Sequence, residues 1–233
     1  MAELKYVDLG CCGYAEALEL QRGLVKRVQN STAELAYLLL VEHVPPVITL
    51  GVGADEANIL ASADQLASAG VEVHRTRRGG DVTYHGAGQL VAYPILQLAA
   101  HGRSIRKYVN DLEEVVLRVL SGLGVSAGRQ ADARGVWVGP AKIAAVGVAV
   151  SKWVSYHGLA INISPNMEHF GLIVPCGLRA SAVTGVEQVL GQSVEMDAVR
   201  SRVVRAMAEV FGFAAARRVQ AADIACGKAD GGP

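Results

Sequence analysis

Arg77-Arg78-Gly79-Gly80-Asp81-Val82-Thr83-Tyr84-His85-Gly86-Ala87-Gly88-Gln89 runs directly into the extended apolar segment Leu90-Val91-Ala92-Tyr93-Pro94-Ile95-Leu96. Four glycines fall within ten residues, among two arginines, an aspartate, a threonine, a histidine and a glutamine. Glycine is costly to order and poor in strands, so a cluster of it marks backbone brought close to something else. A plain hairpin turn with solvated charges needs only about one or two. Donors and acceptors of both charged and neutral kinds make a ligand the expected neighbour.

Outward from that segment, the chain reads as an α+β mixture. Strand patterns cover residues 4–9, 35–42, 47–50, 71–75, 125–129, 135–138, 142–150 and 155–163. Pro45-Pro46 breaks the second of these from the third, and Gly139-Pro140 joins two others as a hairpin. Helical periodicity predicts helices over 14–29, 64–69, 104–120 and 196–211. Ser104 is the N-cap of the third, with Tyr108, Leu112, Val115, Val116 and Val119 as its buried stripe. These elements predict a mixed β-sheet with packed helices, as a single domain over 1–215 and a frayed tail over 216–233. A small C-terminal subdomain beginning near Asn166 is the alternative division.

The 233 residues suffice for one sizeable core, and 51% of them are hydrophobic. Lys+Arg and Asp+Glu both number 22, so the basic excess of a nucleic-acid binder is missing. The longest apolar runs, 35–41 and 143–150, fall far short of the ~20 residues that span a bilayer, and no secretory pattern opens the chain. Cys11, Cys12, Cys176 and Cys226 lack metal-ligand spacing and read as free thiols of a cytoplasmic protein.

Three downstream segments carry chemistry. Lys142 heads the run Ile143-Ala144-Ala145-Val146-Gly147; on its own it reads as a strand end with its ammonium in solvent. His157-Gly158-Leu159-Ala160-Ile161-Asn162 holds a histidine that could be a hydrogen-bonded core residue. Cys176 sits between Pro175 and Gly177, where it is an inert thiol or a nucleophile.

Together the segments resemble the lipoyl(octanoyl) transferases, also called the lipoate-protein ligase B family, over about residues 4–211. The glycine motif is matched by 78–86, then by Gly88-Gln89-Leu90-Val91 and Tyr93-Pro94-Ile95. Lys142 with Ala145-Val146-Gly147, His157-Gly158-Leu159-Ala160 with Asn162, and Pro175-Cys176-Gly177 match the other three motifs. Ala87 stands where the family usually has proline, and Val183-Thr184-Gly185-Val186 replaces Val-Thr-Ser-Leu.

The resemblance implies the fold of biotin and lipoate protein ligase catalytic domains. It also implies octanoyl or lipoyl transfer from acyl carrier protein to a lysine of lipoyl domains, those of 2-oxoacid dehydrogenases and the glycine cleavage H protein. Cys176 would be the nucleophile and Lys142 the acid/base. The expected substrate-binding residues are Arg78, Gly79, Gly80, Asp81, Val82, Thr83, Tyr84, His85, Ala145, Val146, Gly147, Gly158, Leu159 and Ala160, supported by His157 and Asn162. A thioester is already activated, so neither ATP nor a metal is expected, and the chain has no GxxxxGK[ST] phosphate loop. A free thiol titrates near ~8.5 and needs a neighbour to become thiolate. A free lysine titrates near ~10.4, so service as a base near pH 7 requires about 4 kcal/mol of environmental help. Arg75, Arg77, Arg78 and Lys152 are candidates for a basic surface facing acidic carriers. The rival readings are an ATP-dependent ligase on the same fold, an inactive carrier-binding protein and a papain-like hydrolase.

Overall fold

The computed structural model describes residues 2–131, 133–174 and 183–225. Eleven strands fall in two sheets among the described residues. The main sheet contains β1 (Glu3–Cys12), β2 (Ala36–His43), β6 (Gln89–Leu96), β7 (Gly128–Gln130), β8 (Ala133–Val138), β9 (Ala141–Ser151), β10 (Val154–Asn162) and β11 (Ala215–Arg218), in the order β11-β1-β2-β6-β10-β9-β8-β7. β1 runs parallel to both β2 and β11, and the remaining neighbours are antiparallel. β3 (Val47–Leu50), β4 (Glu72–Arg75) and β5 (Val82–His85) form a smaller sheet in the order β4-β3-β5.

The main sheet is covered on both faces, and β2 shows why its sequence is apolar throughout. Ala36, Leu38 and Leu40 face one core while Tyr37, Leu39 and Val41 face the other, as the period of two requires. The first core is closed by α3 (Ile105–Gly122) and α6 (Met196–Phe211), which pack on each other. The second is closed by α1 (Tyr14–Asn30) and α7 (Ala221–Ala225). A third core lies on the small sheet, where Ile48, Leu50, Val82 and Tyr84 meet Phe170, Ile173 and Val183. The short helices α2 (Ala63–Ser68), α4 (Met167–Phe170) and α5 (Val186–Leu190) complete the chain.

Two expectations are revised. The described residues past Asn166 form no cluster of their own: Ile173 and Val183 join the small-sheet core, whereas Val186 and α6 join the main one. The tail predicted to fray from 216 is ordered through 225, because Ala215–Arg218 pairs with β1 and Ile224 is buried against α1's core. Residues 226–233 lie outside the described residues. Among the described residues no helix is long and apolar enough to cross a membrane.

Candidate active site

β9 is paired to β8 only as far as Ala144. Beyond that point the Gly79 N–H donates to the Val148 carbonyl at 2.8 Å, so the glycine segment closes the edge that β8 leaves. That approach needs the glycines. A Cβ at Gly147 would stand 3.1 Å from the Gly79 oxygen, and one at Gly51 only 2.2 Å from the Gly80 oxygen. Strand alternation settles where β9 points its backbone. Val148 and Ala144 turn their carbonyls to the outer edge, so Val146 does too, while Ala145 and Gly147 face β10. The Val146 N–H therefore turns to the same edge, in a residue that lines the cavity.

A cavity of about 670 Å³ opens here. Arg78, Gly79, Gly80, Asp81, Thr83 and His85 form one wall; Lys142, Ala145, Val146 and Gly147 form the second; His157, Gly158, Leu159 and Ala160 form its back. Two expected contacts stand elsewhere. Val82 and Tyr84 alternate with Thr83 and His85 along β5, so they turn into the small-sheet core and only their neighbours reach the cavity. Asn162 lies behind the wall in a hydrogen-bonded chain. Sequence reasoning missed Tyr14, Thr49, Tyr93, Ile105, Val109 and Arg134 as lining residues. Tyr93 was within a quoted motif, and its alternation with Ala92 was the available signal.

Arg78 is buried and does not face solvent. Its Nε and Nη2 donate to the Thr49 hydroxyl at 3.0 and 2.9 Å, and Nη2 also donates to the Thr49 carbonyl at 2.6 Å. It ties the glycine segment to β3, which removes it from the proposed docking surface. Arg75 forms an ion pair with Glu56. Asp81 accepts from the Asp55 N–H at 3.2 Å and the Asn58 side-chain amide at 2.6 Å.

Lys142 reaches over the Trp137 ring, with Nζ 4.9 Å from its centroid. Its carbonyl accepts from the Thr184 N–H at 3.0 Å, and Val183 forms a parallel bridge with it. On the other side, the Val174 N–H donates to the Asn58 carbonyl at 2.8 Å. Cys176, with Pro175 and Gly177, lies outside the described residues. Its described flanks are thus held by the Asp81-bound loop and by Lys142 itself.

Three buried histidines stand in and behind the wall. The His43 Nδ1–H donates to the Cys12 carbonyl at 3.1 Å, and the Tyr93 hydroxyl donates to Nε2 at 2.7 Å. His157 is paired through Nε2 with the Thr76 hydroxyl at 3.0 Å. Burial, aided by the Arg78 charge, lowers His157 to about 4; burial lowers His43 to about 4. His85 falls to about 3 through burial and its neighbour His43. All three are uncharged at neutral pH. The Cys12 thiol is pushed up to about 11 by burial and by Glu16, which makes it a poor nucleophile.

Residues 13–208 match the model of the lipoyl protein ligase A/B catalytic domain. An octanoyltransferase of Alkaliphilus metalliredigens is 44% identical over 211 residues, which is 90% of this chain and 96% of that protein. A bipartite lipoate protein ligase from Thermoplasma acidophilum, described with its E2 lipoyl domain, superposes with a TM-score of 0.74 at 18% identity, over 97% of this chain and 91% of that one. Lipoate-protein ligase A bound with ATP does so with a TM-score of 0.74 at 16% identity, over 96% and 92%. The two solved structures speak for the fold, a mixed-sheet ligase domain; the sequence match speaks for the family. The chain belongs to the lipoyl protein ligase A/B catalytic domain family, and within it to the octanoyltransferases.

Proposed function

We propose that this enzyme moves an octanoyl group from acyl carrier protein to a lysine of a lipoyl domain through an acyl-thioester on Cys176. Lipoyl domains of 2-oxoacid dehydrogenases and the glycine cleavage H protein are the proposed acceptors, and the cytoplasm is the proposed setting. The observation that carries the reading is the pinning of Val183 and Thr184, just past the Cys176 segment, to the backbone of cavity-lining Lys142.

The Cys176 thiolate attacks the donor carbonyl, the carrier thiolate leaves, and protonated Lys142 returns a proton to it. The acceptor amine then attacks the new thioester, gives its proton to Lys142 and expels the Cys176 thiolate. The Val146 N–H meets the negative charge on oxygen in both tetrahedral states, a role that favours a fixed backbone donor. Glycines 79, 80 and 158 keep the cavity walls thin for the chain, whose burial is worth about 0.8 kcal/mol per methylene. No nucleotide enters, because the donor is already a thioester.

Intact mass after incubation with octanoyl-carrier protein tests this. The enzyme should gain one acyl mass, lost on adding a lipoyl domain, and Cys176→Ala should gain none. Lys142→Arg keeps a cation that does not release its proton, so turnover should collapse. An adduct on Cys11, Cys12 or Cys226, or ATP-dependent turnover, would sink the proposal.

A further inference from the structure

Behind the cavity wall runs a buried chain of hydrogen bonds whose direction is fixed at both ends. The Thr184 carbonyl can only accept, so the Asn162 side-chain amide donates to it at 3.0 Å. Asn162 Oδ1 is then the acceptor for Gln89 Nε2 at 2.8 Å, and Nε2 also donates to the Tyr84 carbonyl at 3.3 Å. Gln89 Oε1 is left to face His85 Nδ1 at 2.6 Å, and an amide oxygen requires a proton there. Neither amide can flip without setting donor against donor or oxygen against oxygen. Gln89 and Asn162 are register partners on β6 and β10 and are 2% and 4% exposed, so water does not relieve such a mismatch.

We propose that Gln89 and Asn162 are positioning residues that lock His85 as its Nδ1–H tautomer, so that the Nε2 lone pair faces the cavity as a hydrogen-bond acceptor for the incoming lysine amine. This rests on the transfer reading above. Nδ1 is turned inward to Gln89, which leaves Nε2 as the nitrogen on the cavity side of a ring that lines it. Burial keeps that ring neutral, so it holds an N–H without taking the proton. Lys142 takes the proton, while the hydrogen bond to Nε2 holds the amine in one orientation for attack. In the acyl-enzyme the cysteine has no S–H, so the amine is the donor available to His85 in that half-reaction. The far end of the same chain stops at the Thr184 carbonyl and touches no side chain of the base, so its loss is read in the orientation of the acceptor alone.

Nitrogen-15 long-range correlation spectra of the unchanged enzyme should show His85 neutral and protonated at Nδ1 from pH 6 to 8. Gln89→Leu should mix or reverse the tautomer. Gln89→Glu, close in shape but unable to donate to Asn162 or Tyr84, should make His85 titrate. In single-turnover assays with octanoyl-carrier protein, both variants should form the acyl-enzyme at nearly the original rate. Its discharge to a lipoyl domain should slow about tenfold, the worth of one lost hydrogen bond. An Nε2–H tautomer in the unchanged enzyme overturns the lock. Equal slowing of both half-reactions overturns the positioning role, and slowing of acylation alone assigns the lone pair to the thiol instead of the amine. Absence of any acyl-enzyme in the unchanged protein counts against the transfer reading, while the nitrogen spectra still decide the tautomer.

Discussion

Mild acid should destabilise this protein sharply through three buried histidines. His43, His85 and His157 hold folded values of about 4, 3 and 4, against about 6.5 in an unfolded chain. Because the folded values are depressed, this contribution is intact above pH 6.5 and is lost as pH falls toward 4. At pH 5 the unfolded chain binds nearly one proton per histidine and the folded chain almost none. Integrated from pH 7, that is about 2 kcal/mol each and about 6 kcal/mol together. A domain's whole stability is about 5–15 kcal/mol, so much of it is at stake. The geometry agrees: a proton on His43 Nε2 would meet the Tyr93 hydroxyl that donates to it at 2.7 Å. Urea denaturation at pH 7 and pH 5 measures the difference, and the melting temperature should drop by about 12–24 °C. His43→Gln should lower stability at both pH values yet cut the pH dependence by about one third. A total change under about 2 kcal/mol would refute the assignment of all three as buried neutral rings.

Three further changes probe the site. Gly158→Ala places a Cβ 2.2 Å from the Ala92 oxygen and 2.6 Å from Pro94 Cδ, so β6 and β10 must part; a loss of about 1–3 kcal/mol in urea and a larger fall in turnover are expected. Arg78→Lys cannot reproduce the fork on Thr49, and should raise the acyl-donor KM while costing about 1–3 kcal/mol; a neutral outcome would show the fork to be idle. Asp81→Ala releases Asp55 and Asn58, the loop that holds Val174, and should slow acylation more than it lowers the melting temperature.

The main sheet was legible because β2, β6 and β9 carry apolar runs long enough to be read as strands buried on two faces. β5 was not, since Val82 to His85 lies inside the glycine segment and its alternation was masked by the expectation of a ligand loop. The same cause placed Val82 and Tyr84 on the wrong side of the wall. β11 escaped notice because Ala-Ala-Arg-Arg has no strand propensity of its own, and only pairing with β1 makes it extended. Lys142 and the glycine and histidine motifs were readable as residue types, but their meeting at the cavity depends on β9 losing its β8 partner after Ala144, a matter of sheet geometry that no local pattern carries. Arg78 was read both as a substrate-binding residue and as part of a basic surface; it lines the cavity, but its burial, which follows from Thr49, a residue distant in sequence, takes it off the surface.

β11 also bears on how the chain avoids sticking to its own copies. β1 spans ten residues with Leu4 and Val7 buried, and an uncovered flank of that length is a template for another strand. β11 lies over its first part, is four residues long, and presents Arg217 and Arg218, paired with Glu3 and Asp8. At the opposite border β7 is only three residues long. The sheet thus ends on both sides in strands too short, and on one side too charged, to recruit a neighbour. During synthesis β1 emerges before its cover, so the flank stays open until the chain beyond α6 has been made. Shortened forms ending before Ala215 would keep every wall of the cavity described above and still be prone to aggregate.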